Sequence, residues 1–495
     1  MTAEMLIKMG VTGQLFHTVT GTAFADLSIN GQRETWPIRS TRFRWWLRSC
    51  YYEATGIAPS AQAIRSALDV LEARAQFDGP ERAVHVRIAQ HSGRIYLDLA
   101  DEHWRAIEIG PDGWRVVDRP PVRFRRAAGL LPHPIPQRGG SIELLASYVN
   151  LPSRNDFVCV IMWLLATLRA GGPYPPLVIS GEQGSAKTVL AKILKALVDP
   201  NAAPARALPC EDRELFIAAN NGHVLAFDNL SGLPTGLSDT LCRLASGGGF
   251  AVRQLYTDQD EVLFDAARPV ILNGIEDFVT RPDLADRALF LTLPSISDAQ
   301  RRPEKELWRE FELARPRLLG ALLDAASHGL RTLPHVRLDR LPRMADFAIW
   351  ATACETALWP TGAFARAYEA NRRAAVEGVI DADPVAACVR EIMTERSSWT
   401  GTAADLVRAG ADRGSDGISR DGTGWPKNPR ALAGRLRRAQ TFLRVLGIDI
   451  VFSREGRAGS RIIRMRTTVE NTVCMVSSVR DLGPPVGTTS AATGW

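Results

Sequence analysis

From residue 177 the chain alternates short apolar runs with amphipathic stretches. LVIS (177–180), HVLAFDN (223–229), PVILNG (269–274) and ALFLTL (288–293) are nearly continuous in apolar residues. That is the pattern of strands in a parallel sheet covered on both faces. With helical patterns before and between them, an α/β core with leading helices is expected over 141–300. Helical periodicity then dominates, in LWREFELARPRLLGALLDAA and MADFAIWATACETAL, which predicts a helical lid over 301–380.

The flanks have other rhythms. AFADLSI and QRETWPI, joined by Asn30-Gly31, form a hairpin pattern; Ser40 and Ser60 stand where helix caps belong; two further hairpin patterns occupy 83–100 and 103–118. A small α+β domain is therefore expected over 1–125, followed by a proline-rich, basic linker at 126–140. Beyond the lid come three helical stretches and the strand pair IDIVFSREGRAGSRIIRMR, the order of a winged helix, over 381–467. The small and polar residues of 468–495 predict a disordered tail.

Composition narrows the function classes. With 495 residues, 45% hydrophobic and 23% charged, the chain can bury several cores. VCVIMWLLATL (158–168) is too short to span a bilayer and MTAEMLIKMG has no signal-peptide core. A cytoplasmic protein without a membrane partner is expected. The seven cysteines are scattered, with no Cys-x-x-Cys pair, so no zinc is expected. The net charge is only +6, but residues 427–466 hold ten arginines and Lys427 against Asp449 and Glu455, and such a face suits phosphate-bearing partners.

The first strand of the core runs into GEQGSAKT (181–188) and then an amphipathic helix, the context in which a phosphate-binding loop is meaningful. Gly181, Glu182, Gln183, Gly184, Ser185 and Ala186 would surround phosphates with backbone N–H groups, Lys187 would bridge β and γ oxygens, and the Thr188 hydroxyl would hold Mg²⁺. Ala186 stands where the usual pattern has glycine. Asp228 ends the next strand, where a carboxylate can bind the same magnesium, although a strand-end Asp opening a turn is an alternative. Asn273 ends the third, where open sheets bind ligands, although a turn-forming Asn-Gly is again the alternative.

Walker A (GEQGSAKT), a Walker B strand (VLAFD), a sensor asparagine (VILN) and the Asp-Arg pair of DLADR, all within about 110 residues, resemble AAA+ ATPases. The compact spacing is similar to the superfamily 3 helicases of phages and plasmids and to poxvirus-type primase-helicases. The resemblance implies an AAA+ P-loop core, ATP and Mg²⁺ as cofactors, and a homo-oligomer, a hexamer in such motors. It implies Lys187 and Thr188 on phosphate and metal, Asp228 on metal, and Asn273 positioning the attacking water. Arg287 is implied as an arginine finger reaching the neighbouring subunit's site, with Arg281 as a second candidate, and Arg343 as a lid arginine on the nucleotide. One departure matters: where the family has a second acid after the Walker B Asp, this chain has Asn229, which cannot accept a proton.

In such motors a hairpin before the sensor strand grips single-stranded DNA. FAVRQLYTDQDEVLF (250–264) occupies that place, with Arg253 and Tyr256 as contacts but Asp258 and Asp260 at its tip. A structural edge hairpin is the alternative. In the winged helix, Arg430, Arg435, Arg437 and Arg438 on one helix, with Arg454, Arg457 and Arg461 around the wing, are the expected DNA contacts; a solvated or interdomain basic face is the alternative. The stretch RSTRFRWWLRSCYYE interleaves basic and aromatic residues that can stack bases, although core packing accounts for Trp45, Trp46, Tyr51 and Tyr52 equally. Neither paired carboxylates nor a Ser/His/Asp set marks a primase, so a separate one would have to act. Two functions remain open: a DNA helicase or translocase in replication of a phage, plasmid or other mobile element, and a nucleotide-switched DNA-binding initiator, loader or defence ATPase that does not unwind.

Overall fold

Local signals build the first unit. Asn30 and Gly31 adopt left-handed φ values of 50° and 78° and close the hairpin between β2 (Ala23–Ile29) and β3 (Gln32–Pro37), which with β1 (Gln14–His17) form an antiparallel sheet. The Ser40 hydroxyl accepts from Phe43 N–H and starts α2 (Thr41–Thr55); Ser60 does the same for Ala63 at α3 (Ala61–Phe77). These helices and α1 (Thr2–Gly10) bury Phe43, Leu47, Leu68 and Leu71 against Trp36 and Leu27 of the sheet. The computed structural model describes residues 2–248, 250–253, 261–264, 267–275, 278–279, 281–413, 425–426, 428–455, 460–467 and 477–479.

A second antiparallel sheet, β4 (Ile88–His91), β5 (Arg94–Asp98), β6 (Ala106–Gly110) and β7 (Gly113–Val117), follows in meander order. Its Ile88, Ile107, Ile109 and Trp114 do not join the first unit's core. They pack with α4 (Arg154–Thr167), α5 (Lys187–Val198) and α9 (Glu304–Thr332), and Trp114 Nε1 donates to Asp324 of α9 at 2.8 Å. The span 1–125 thus divides its apolar faces among three clusters, the third made of Ala89, Tyr96 and Ala106 with Val122 and Phe124, because strand alternation says which side chains are buried but not against what.

Residues 126–140 are not a free linker. They form a strap on the core: Leu131 N–H donates to Pro200 O at 3.0 Å, the buried His133 ring to Val198 O at 3.0 Å, and Gln137 N–H to Pro316 O at 2.9 Å. Prolines deny the strap a helix or ladder of its own, and docking supplies its hydrogen bonds instead. Beside it, Arg87 and Asp199 form a fully buried ion pair at 3.1 Å. Arg87 also donates to the carbonyls of Asp98, Leu131 and Pro200, and Asp199 accepts from His223 and Val224 N–H. Burial by itself would raise the Asp199 pKa, but Arg87 and Lys195 hold it down at about 2.

The central sheet is parallel, in the order β13 (Leu289–Leu293), β8 (Leu177–Gly181), β12 (Val270–Gly274), β9 (Leu225–Leu230). α4 is buried on every side, from Phe157 to Thr167, which accounts for the apolar run without a membrane, and among the described residues no helix is long and apolar enough to cross one. α5, α6 (Asp212–Asn221) and α7 (Thr235–Ser246) follow β8 and precede or follow β9. The short β10 (Phe250–Arg253) and β11 (Glu261–Phe264) pair antiparallel before β12, and the one-turn α8 (Pro282–Ala285) precedes β13. α9, α10 (Ala345–Glu355) and α11 (Ala363–Ala382) then pack Leu322, Trp350 and Phe364 into the same core as α4.

The C-terminal unit runs α12 (Pro384–Glu395), β15 (Ser398–Gly401), α13 (Ala403–Arg413), α14 (Pro429–Val445), β16 (Ile448–Glu455) and β17 (Ser460–Thr467), with the antiparallel order β15-β17-β16. Leu432, Leu436 and Phe442 of α14 pack with Ile450 and Met465 of the strands. The tail is not wholly unstructured: β18 (Ser477–Val479) pairs with β14 (Val336–Leu338) beside the lid.

His223 generates a pH dependence. Its buried ring donates from Nε2 to Thr167 O at 2.6 Å, and burial, with Arg268 nearby, lowers its pKa from 6.5 to about 4. Between those values the unfolded chain takes up a proton that the folded chain refuses. Stability is therefore fully present above pH 6.5 and is lost as pH falls towards 4, by about 3 kcal/mol for this group. Urea midpoints between pH 7.5 and 4.5 are expected to fall, and His223→Gln is expected to flatten that slope.

Candidate nucleotide-binding site

The carboxyl ends of β8, β9 and β12 converge on one cavity of about 410 Å³, lined by Gln183 to Val189, Asp228, Asn229 and Asn273 to Ile275. The loop leaving β8 has three positive-φ residues. At Gly181 (φ 142°) a Cβ would lie 2.5 Å from Leu293 O, so only glycine fits. Gly184 follows at φ 84°, and Ala186 takes φ 64° immediately before α5. The left-handed conformation at 186 is the physical reason that glycine is usual there, and a methyl group in it costs about 1–2 kcal/mol.

The functional groups meet at Asp228. Thr188 Oγ1 donates to Asp228 Oδ1 at 3.2 Å, and Asn273 Nδ2 donates to the same oxygen at 2.7 Å. Asn273 is buried, and among the described residues its Oδ1 has no hydrogen-bond partner, a cost of about 1–3 kcal/mol unless a donor arrives. Lys187 Nζ folds back on the loop, donating to the carbonyls of Gly181 and Glu182 at 2.7 Å each. Burial lowers its pKa, opposed by Asp228. A loop of N–H groups, one lysine and a hydroxyl–carboxylate oxygen pair suit a phosphate chain with a hard divalent cation, and the orphaned Asn273 oxygen suits a water held beside it.

Register explains how Asp228 is aimed. β12 and β9 pair Leu272 with Phe227 but Gly274 with Leu230, so β9 carries one residue more across that step. The bulge falls at Asp228-Asn229, with Asn229 at φ 60° and its N–H donating to Asp228 Oδ1 at 2.8 Å. Asparagine tolerates that conformation better than most residues. The residue that departs from the expected acid thus has a backbone reason to be where it is.

The structure does not bring every assigned residue to this cavity. Arg343 faces Asp286 at 3.9 Å, an acid that also pairs with Arg372 at 2.5 Å, and does not line the site. Arg301, which the sequence did not single out, stands beside the loop without lining the cavity: its guanidinium would be 3.3 Å from a Cβ on Gly184, and it pairs with Asp298 at 3.0 Å. It follows β13, whose Leu293 is in register with Gly181, so the strand pairing brings this distant residue beside the loop. Arg281 pairs with Asp239 of α7 at 3.0 Å. Arg287 lies beside Cys242, also on α7, and not at its own chain's cavity.

The assigned DNA contacts separate similarly. Arg253 ends β10 opposite Glu261; Tyr256 and Arg457 lie outside the described residues. Arg435 is engaged by Asp383 at 2.9 Å, at the junction of lid and C-terminal unit. Arg437 stacks on Phe452 at 4.6 Å. Arg430 and Arg438 are exposed on α14, and Arg454 and Arg461 are exposed directly opposite each other on β16 and β17.

Ala186 provides a test of the loop's backbone. Ala186→Gly removes the left-handed alanine and is expected to stabilise the folded chain by about 1 kcal/mol, read as a raised urea midpoint.

Residues 142–378 match the family model described as actinomycete integrative conjugative element replication protein, and residues 385–478 match the AICE RepA C-terminal domain. No curated protein matches the chain. Among solved structures, the apo C-terminal region of NrS-1 is 12% identical with a TM-score of 0.40, covering 94% of this chain and 99% of that one. SCCmec type IV Cch, titled an active helicase, is 12% identical with a TM-score of 0.45, covering 92% of each chain. The two family matches follow one another and share one family: the chain belongs to the replication proteins of actinomycete integrative conjugative elements.

Proposed function

We propose that this protein is an ATPase that binds ATP and Mg²⁺ at the 181–188 loop and uses nucleotide turnover to move along and unwind DNA when the element replicates. The observation that carries this reading is the meeting of Thr188, Asp228 and Asn273 at the carboxyl edge of a parallel sheet, with Lys187 on the loop between them. Lys187 would leave its two carbonyls for β and γ oxygens. Thr188 and Asp228 would hold the cation, which neutralises charge on the phosphates. Asn273 would hold the attacking water through its orphaned oxygen.

Neither Arg287 nor Arg281 lines its own chain's cavity, so a finger from either would act on a neighbouring subunit's site, in a ring or other oligomer. The C-terminal unit has the element order of a winged helix, and Arg430, Arg438, Arg454 and Arg461 are its exposed cations for DNA phosphates. Asn229 favours a second reading. With no acid beside Asp228, nucleotide binding would switch assembly on DNA without processive unwinding.

ATP turnover with and without single-stranded DNA, together with fork unwinding, separates the two. Under the motor reading DNA stimulates turnover, strands separate, and Lys187→Ala lowers turnover by about 100-fold or more. ATP-dependent assembly on duplex DNA without strand separation would leave only the switch. Subunit mixing tests the finger. Lys187→Ala and Arg287→Ala proteins, each inactive alone, are expected to regain turnover when mixed, because one interface in the mixture joins an intact loop to an intact arginine. Continued inactivity of the mixture, with assembly intact, would remove Arg287 from that role.

A further inference from the structure

Residues 2–140 precede both family matches, and their most unusual surface is the outer face of α2. The helix buries Phe43, Leu47 and Tyr51, and Trp46 packs edge-on to Trp36. Trp45 and Tyr52 point the other way and are 65% and 59% exposed. At 100° per residue, positions 45, 48 and 52 form one narrow stripe opposite the buried side. Arg48 therefore stands between an exposed indole and an exposed phenol, which are about 10 Å apart along the axis.

The charges around this stripe are only partly compensated. Arg42 is engaged by Glu34 at 3.1 Å and lies over the Trp36 ring. Glu53, the one acid of the helix, accepts from Ser49 at 2.9 Å. Arg44 and Arg48 have no ion pair among the described residues. A partner for this stripe would supply negative charge between flat apolar groups, along an exposed helix face. Single-stranded nucleic acid has both properties at that spacing: bases with open faces for Trp45 and Tyr52, and phosphates for Arg44 and Arg48.

We infer that the outer face of α2 is a binding site for single-stranded DNA, in which bases stack on Trp45 and Tyr52 and the backbone lies against Arg44 and Arg48. Duplex DNA does not fit, because its bases are already stacked on one another. The site shares no residue with the cavity at the 181–188 loop and binds whether or not that loop hydrolyses ATP.

Fluorescence anisotropy with a labelled oligo-thymidine strand, using the full chain without nucleotide, tests this. Trp45→Ala/Tyr52→Ala is expected to weaken single-strand affinity about 10-fold or more, while duplex affinity and the DNA-free ATP turnover rate stay at the wild-type level. Trp45→Phe/Tyr52→Phe keeps the stacking faces and is expected to restore affinity to within about twofold. Arg48→Gln is expected to reduce the slope of log affinity against log salt by about 0.7. Unchanged single-strand affinity in a double-alanine protein with a wild-type melting curve would overturn the site. So would equal loss of single-strand and duplex binding accompanied by a lower mass in light scattering, since the face would then be a contact between subunits. If the double-alanine protein does not fold, Arg44→Gln/Arg48→Gln carries the test, and wild-type affinity with an unchanged salt slope would overturn it.

Discussion

The buried pair Arg87–Asp199 holds together parts of the chain that are far apart in sequence. Neither charge reaches water, and an isolated partner would be left with an uncompensated buried charge, a loss of about 3–5 kcal/mol. The hydrogen bonds around the pair make it tolerable. Arg87 satisfies carbonyls of the meander, the strap and the segment after α5, while Asp199 receives two N–H groups at the start of β9. α5 begins at Lys187 and is capped by Asp199, so the helix that carries Lys187 and Thr188 is fixed at its far end by a residue just before the N-terminal meander. The N-terminal residues are in this sense part of the scaffold of the site.

From that fixed frame the site is assembled by strand ends. In a parallel sheet all carboxyl ends lie on one edge, and ligands bind in the crevice there. β8, β9 and β12 bring a lysine-bearing loop, a carboxylate and a carboxamide to one place, and the bulge in β9 turns the carboxylate toward Thr188. The cost appears as backbone strain at two residues, Ala186 and Asn229, each with φ near 60°. Strain of this kind persists where the surrounding structure over-determines it, and such residues cluster at functional sites. Asn229 is then the residue that a bulge tolerates and also the residue that withholds a second acid, so one substitution would alter both the backbone and the chemistry.

The basic surface is likewise divided by packing. Along α14 and the following strands arginines recur with little to tell them apart, yet Arg435 is engaged by Asp383, Arg437 covers Phe452, Arg444 pairs with Asp449 and Arg464 with Glu455. The first of those contacts joins α14 to the junction with the lid, and the other three are made within the C-terminal unit. A count of charges cannot separate arginines that build the joint from those that face outward, because the difference lies in which acids and rings the fold brings within reach.

Elements whose signals are local were legible in the chain itself. The Asn30-Gly31 turn, the Ser40 and Ser60 caps, the four apolar strands and, in the C-terminal unit, the three helices and the β16–β17 pair all follow from short-range sterics and periodicity, which act within a few residues, whereas the short β15 between α12 and α13 carried no such signal. So did Lys187, Thr188, Asp228 and Asn273 as candidates, since each sits at a strand end or helix start that the pattern marks. Tertiary structure alone decided that the meander joins the second core, that the proline-rich stretch is a docked strap, that Arg301 and not Arg343 reaches the loop, and that Trp45 and Tyr52 face outward while Tyr51 is buried. Each of these depends on contacts across tens to hundreds of residues, and no local preference distinguishes a tryptophan that packs from one that faces outward.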